Sequence, residues 1–536
     1  MDRDGWKWNG WNMNKSQRMQ LKAFICLLGI LLLVILLLGR FLLLLIHRDE
    51  EEEEPAPTPH IPVIEMFSNV WIMEADEEGI MIFLDGVCES YPWGTVGEGE
   101  QGGAAPDLRE QVADIVLTDG QVTSVTAMRE KINGKILSVD DSGIEVEGYG
   151  RLPLAADYKG YRLYDSLEMC TARDVFFGYS FTDLCIEDGE VCGILMVKEE
   201  AMEYIRVLIK ASDYEGLFHA QPAVTCDVDY TVVYGTYDNL QQEAHQAWEE
   251  LTFGYDSEYF VEDRIWIVPS VLTGRVILQN CHRSQGTPAY RGQMELLRTE
   301  DGIVVIDEVL MEEYLYSVVP SEMPAGYPME ALKAQAICAR TYAYGRVMHA
   351  GYPQYGAHAD DSTSYQVYNN ILENESTTTA VKETYGQLLY TGEGKLAETF
   401  YYSTSCGIGS DANVWKTQAA PTLTYLKAKL LNRRAMAEEL AAGSGTAAED
   451  APDSGVQTTG GEAQDVPGER LREEEAFAAF ISGRNEDDFE VNEGWYRWRY
   501  EVEALNKEHM LEALQKRYAA NSQLVLTWKD GEYVSE

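Results

Sequence analysis

Basic side chains are scarce in this chain of 536 residues: 42 lysines and arginines stand against 89 aspartates and glutamates, a formal charge of −47. The clustered cations that binding to nucleic acid demands are absent, which excludes nucleic acid as a partner. Cysteine order is missing too. Nine cysteines, an odd number without C-x-x-C spacing, fit neither a disulfide framework nor a zinc ribbon. Cys185 and Cys192 flank a turn expected at Asp188-Gly189, and a bridge or two free buried thiols both suit that spacing. Apolar runs long enough for a bilayer are lacking with one exception.

That exception is Ala23 to Ile46, 24 residues interrupted by Arg40 alone. As a helix it extends about 36 Å, enough for a hydrocarbon core of about 30 Å, and Arg40 can snorkel to the interface. Lys15, Arg18 and Lys22 precede the run and an acidic stretch follows it, so residues 1–22 are expected in the cytoplasm. The apolar core exceeds that of a signal peptide and no small-residue cleavage site is evident, so residues 23–46 read as an uncleaved single-pass anchor. Residues 47–61 then form an acidic, proline-containing stalk, and the body lies outside the membrane.

Residues 62–200 alternate apolar and polar side chains between turn signals at Asp85-Gly86, Asp119-Gly120, Asn133-Gly134, Asp141-Ser142-Gly143 and Asp188-Gly189. This is hairpin patterning and predicts an all-β module, with a Gly-rich mobile loop at Gly97 to Asp107. The module carries no catalytic constellation, leaving spacing or binding as its role. From residue 201 strands are expected at Ile205–Ile209, Ile265–Val268, Val276–Leu278, Met294–Leu297 and Ile303–Ile306, followed by a helix and further strands, an α+β order. Residues 441–468 are poor in apolar side chains and predict a disordered insertion. Trp495, Tyr496, Trp498 and Tyr500 alternate as a half-buried strand does, a pattern that sugar stacking also produces.

The stretch Val318 to Tyr344 holds the strongest chemical signal. Pro320 and Pro324 bracket Glu322, which predicts a carboxylate on a stiff extended turn, with Pro328 in the first turn of a helix reaching about Gly345. Lys333 and Arg340 lie seven residues apart and so share a helix face, while Leu332, Ala336, Cys338 and Ala339 form a packing stripe. Such packing would join Glu322, Lys333 and Arg340 in one constellation; a loop acid near a helix start beside a solvated cationic face gives the same pattern.

This stretch resembles the stage II sporulation protein D family, also called the amidase-enhancer family, whose hallmark is V-V-x-x-E-M-P followed by E-A-L-K-A-Q-A-x-x-A-R-T-Y. The matching residues are Val318, Val319, Glu322 to Pro324, Glu330 to Ala336 and Ala339 to Tyr342. Flanking matches include Tyr290-Arg291-Gly292, Gln366-Val367-Tyr368, Tyr402 to Ser405, Gly407 and Trp415, so the resemblance covers roughly residues 203 to 430. It implies a lytic transglycosylase acting on peptidoglycan glycan strands, preferably stripped of peptides, in cell-wall remodelling and plausibly in sporulation engulfment. Glu322 is then the catalytic acid and base. Lys333, Arg340, Gln366, Ser403, Thr404 and Ser405 are the expected substrate-binding residues, the serines and threonine on a turn after a strand at Glu398 to Tyr402. An ordinary glycosidase needs a second carboxylate at a defined distance, and Glu313, Asp360, Asp361 and Glu398 are candidates without a distinguishing mark.

Two departures stand out. Relatives carry a Cys and His cluster, associated with zinc, where this chain reads Asp360-Asp361-Ser362-Thr363-Ser364-Tyr365. His358 and Asp360 alone make a poor zinc site, so no metal and no cofactor are expected. Cys406 stands where the family has glycine and reads as a small buried thiol. The resemblance also implies a wall amidase and sporulation membrane proteins as partners, with a non-catalytic glycan-binding enhancer or a scaffold as the alternatives to an enzyme.

Overall fold

The computed structural model describes residues 15–46, 62–94, 108–128, 130–197, 202–412, 423–444, 474–497, 526–529 and 532–535. The protein mixes helix and sheet, with sheet predominant. Helix α1, Lys15–Ile46, contains Lys22–Arg40, a span long and apolar enough to cross a membrane as an anchor or a signal sequence. The expected stalk, the Gly97 to Asp107 loop and Trp415 fall outside the described residues.

Residues 62–197 form two sheets. Five antiparallel strands between Ile64 and Ala127 make the first, and strands between Lys131 and Met196 make the second, where Glu190–Met196 runs parallel to Gly150–Arg162. Asp85-Gly86, Asp119-Gly120 and Asp188-Gly189 turn hairpins with positive φ at both residues, as their sequence signals predict. The sheets meet through Trp71, Phe83 and Val112 on one side and Tyr161, Cys185 and Leu195 on the other. Cys185 and Cys192 are buried free thiols; the Cys192 Sγ lies 3.3 Å from the Cys185 carbonyl oxygen.

The third sheet has seven strands, with Gln293–Thr299, Gly302–Leu310 and Tyr204–Ile209 adjacent near its centre and Ala359–Asp360 at one edge. One face, carrying Ile205, Val207, Ile303 and Val305, is covered by helices α2 (Met311–Glu322) and α3 (Met329–Met348) through Leu315, Val318, Ala336 and Ala339. Helix α4, Glu375–Glu383, capped by the Asn374 side chain, packs on both. The same core includes Phe176, Phe181 and Met196 from the second sheet, so the packing does not stop at residue 200. Val276–Leu278 belongs to a smaller fourth sheet with Ala223–Cys226.

The opposite face carries charge, and it is buried. Arg206 and Arg264 pair with Glu295, Arg206 also with Glu308, and the second sheet completes the array with Lys135 on Glu308 at 2.6 Å and Glu145 on Arg264 at 2.8 Å. Three cations thus meet three anions. Burial alone would raise the Glu145 carboxyl, but Arg264, with hydroxyls from Tyr237 and Ser138, brings it down to about 2.

Five expectations need correction. Glu322 is not on an extended turn: α2 continues through Pro320 and ends on Glu322, with Met323 extended beyond it. An interior proline costs about 3 kcal/mol, but burying Leu315, Val318 and Val319 completely contributes roughly 1.5–3 kcal/mol each, and packing wins. Pro328 caps α3 from outside it. Glu398 to Tyr402 forms no strand; the segment packs on α3, where the Thr399 hydroxyl donates to the Cys338 carbonyl at 2.7 Å. Residues 495–497 are a turn in which the Tyr496 hydroxyl is held by Asp488, and helix α5, Arg433–Ser444, enters the first residues of the expected insertion, the rest of which lies outside the described residues.

Candidate active site

Glu322 closes α2 half-buried, at the end of a helix where the macrodipole disfavours negative charge. Its Oε1 accepts the Val367 N–H at 2.7 Å, and it accepts the Tyr401 hydroxyl as well. Burial pushes its pKa up, and those two donors pull against it without cancelling it. The phenols of Tyr314, Tyr342 and Tyr401 all feel its charge, so the carboxyl sits among tyrosines. No lysine or arginine among the described residues contributes to its shift.

Behind this carboxyl stands Gln366. It is buried, its Oε1 accepts the Tyr314 hydroxyl at 3.2 Å, and its Nε2 donates to the Tyr401 oxygen at 3.1 Å and to the Ala339 carbonyl at 3.2 Å. These bonds fix Tyr401 so that its proton points at Glu322. Gln366 therefore acts within the protein, not on a surface open to substrate. Sequence reasoning missed Tyr401 and Tyr342; the signal for the first was its place directly before Tyr402 to Ser405.

The cations do not gather at Glu322. Arg340 is buried, forks onto Glu312 of α2 with both bonds at 2.7 Å, and donates to the Val381 carbonyl of α4. Lys333 pairs with Glu383 of α4 at 2.8 Å and with Glu330 at 3.0 Å. The seven-residue spacing did put both on one face, but α4 covers that face. Ser405 turns away as well, its N–H donating to Glu490 at 2.6 Å, while Ser403 is exposed and Thr404 half-buried. The turn continues through Gly407, whose φ of 95° and whose approach to the Asp488 carboxylate leave no room for a side chain. Cys406 beside it is half-buried, less enclosed than expected.

At the loop aligned with the zinc cluster, each group has another partner. Asp360 accepts from Ser362 and from the Tyr352 hydroxyl at 2.7 Å. Asp361 is paired with Arg283 at 2.6 Å; burial pushes it up to about 6 against that pull. His358 stacks on Phe177 and accepts the Arg206 N–H, and burial pushes it down to about 3, so it is neutral. Among the described residues no three His, Cys, Asp or Glu side chains are grouped to hold a metal.

The family model described as "Stage II sporulation protein" matches residues 299–390, a span that includes Glu322, α2, α3 and α4. The chain is 38% identical over 125 residues to an uncharacterized protein of Brachyspira hyodysenteriae, 35% over 136 residues to a stage II sporulation protein D of Bacillus amyloliquefaciens, and 36% over 116 residues to an amidase enhancer of Bacillus subtilis. These matches take in 22–23% of this chain and 33%, 39% and 15% of the relatives, so the chain spans well under half the length of the curated relatives it matches.

Proposed function

Because the chain carries a stage II sporulation protein family domain at residues 299–390, we propose that it is a membrane-anchored lytic transglycosylase cutting peptide-stripped peptidoglycan strands with Glu322 as acid and base. The observation that carries this reading is a single half-buried carboxyl, raised by burial and held by Val367 and Tyr401. Protonated, Glu322 donates to the glycosidic oxygen as the bond to the muramic acid C1 breaks, and the neighbouring sugar leaves as the alcohol. The carboxylate then takes the proton of that muramic acid's own 6-hydroxyl, whose oxygen closes on C1. The product is a 1,6-anhydro end, and Glu322 is protonated again. No second carboxylate is needed, in contrast to glycosidases that place two.

In this reading α1 holds the protein in the membrane with residues 47–536 outside the cytoplasm, and a wall amidase supplies stripped strands, in sporulation or in vegetative remodelling. Arg340 and Lys333 lock α2, α3 and α4 around Glu322 and do not bind sugar. A second reading is a glycan-binding enhancer of an amidase. The name of the Bacillus subtilis relative, amidase enhancer, and the pairing of Lys333 with α4 and of Arg340 with α2 and α4 favour it. Mass spectrometry of strand ends decides between them: anhydro ends support the transglycosylase, binding without cleavage supports the enhancer, and ordinary reducing ends require a hydrolase with a second acid.

A further inference from the structure

Eight arginines lie between residues 202 and 412, and seven of them hold a carboxylate. Arg346 is the exception. Among the described residues no acid is paired with it, and its Nε is buried without a hydrogen-bond partner. Arg346 is half-buried, so in a chain with two acids for each base it stands open to an anionic ligand while its Nε is closed off from water.

Arg346 lines a cavity of about 490 Å³ between the last turns of α3 and the segment 390–400. Its guanidinium lies 5.3 Å from the centre of the Tyr342 ring, which fixes the fork in place. The Tyr342 phenol, raised chiefly by burial, also feels the charge of Glu322. Tyr390, exposed, offers a flat face of the kind on which sugar rings stack. Glu398 is the one acid in the lining, and its charge bears on the Tyr425 phenol.

We propose that this cavity is a sugar subsite in which Arg346 binds the free lactyl carboxylate of a muramic acid residue, so that the protein selects strands from which the peptide has been removed. The inference rests on the glycan reading above. While a stem peptide is attached, the lactyl carboxyl is a neutral amide; amide hydrolysis frees it as a carboxylate, the group a planar guanidinium fork recognises with two parallel bonds. The reaction that must precede this one is therefore an amidase step, and Arg346 reads its result.

The test uses the full chain in detergent, with Glu322→Gln to stop turnover, and compares binding of peptide-free glycan oligomers with the same oligomers chemically amidated at the lactyl carboxyl. The free-acid form should bind about tenfold tighter, a charge-assisted bond's worth. Arg346→Gln should reduce that ratio to near one while leaving binding of the amidated form unchanged, and Arg346→Lys should fall between. Equal binding of the two forms with Arg346 in place, no binding of either, or a ratio that survives Arg346→Gln overturns the proposal. If Arg346→Gln loses binding of both forms through unfolding, Arg346→Lys decides: an undiminished ratio counts against the fork. Cleavage is scored separately in the chain with Glu322: a carboxylate preference without anhydro ends keeps this subsite and removes the transglycosylase, and anhydro ends without preference do the reverse.

Discussion

In the proposed reaction Glu322 must keep its proton to serve as an acid, and its surroundings pull both ways: burial raises its pKa, whereas the Val367 N–H and the Tyr401 hydroxyl stabilise the carboxylate. Because burial prevails, kcat/KM for strand cleavage should fall as pH rises through a value above the ordinary glutamate range. Tyr401→Phe removes one donor to the charged form, so that limb should move to still higher pH, while the rate on its plateau drops as the carboxyl loses a restraint. A limb that moved down would contradict the assigned bond. Glu322 was singled out in the sequence by the family motif around it, since its bracketing prolines fit a plain loop acid equally well and the turn they suggested is in fact the end of a helix. Tyr401 and Gln366 were not legible as its supports, since both come from distant segments and their roles exist only once α3 has brought them together.

At the scale of elements, the strands at 204–209, 264–269, 293–299 and 302–310 followed from apolar alternation, and their boundaries differ from expectation by a few residues at most. Alternation does not say what covers the other face. Arg206, Arg264, Glu295 and Glu308 have the spacing of a solvated strand face, yet the second sheet covers them and supplies Lys135 and Glu145 to balance the charge. Glu145→Ala would leave Arg264 without one of its two acids in the interior, and a cost of about 3–5 kcal/mol is expected in chemical unfolding. A loss below about 1 kcal/mol would mean that water reaches the array. Helix periodicity was read correctly for Lys333 and Arg340, but a period says which residues share a face and not what covers it; here α4 does. Pro320 shows the same limit, since its helix-breaking tendency is local and the burial that overrides it is not.

For the whole molecule, the sequence separates an apolar helix from an acidic body, and Lys22–Arg40 is a helix long and apolar enough to cross a membrane. Deleting residues 1–46 should move the protein from the membrane pellet to the soluble fraction with cleavage of soluble glycan oligomers unchanged; continued pelleting would place membrane affinity elsewhere. The sheets at 62–197 were legible as β structure but not as partners of the later core, because Phe176, Phe181 and Met196 look from sequence like the interior of a separate module. The central claim, that one carboxyl cuts the strand, is tested most directly by incubating the full chain and its Glu322→Gln variant with peptide-free strands and counting 1,6-anhydro ends by mass spectrometry. The account predicts anhydro ends from the unaltered protein and a loss of roughly 10²–10⁴ in rate for the variant. Anhydro ends formed equally fast by Glu322→Gln would contradict it.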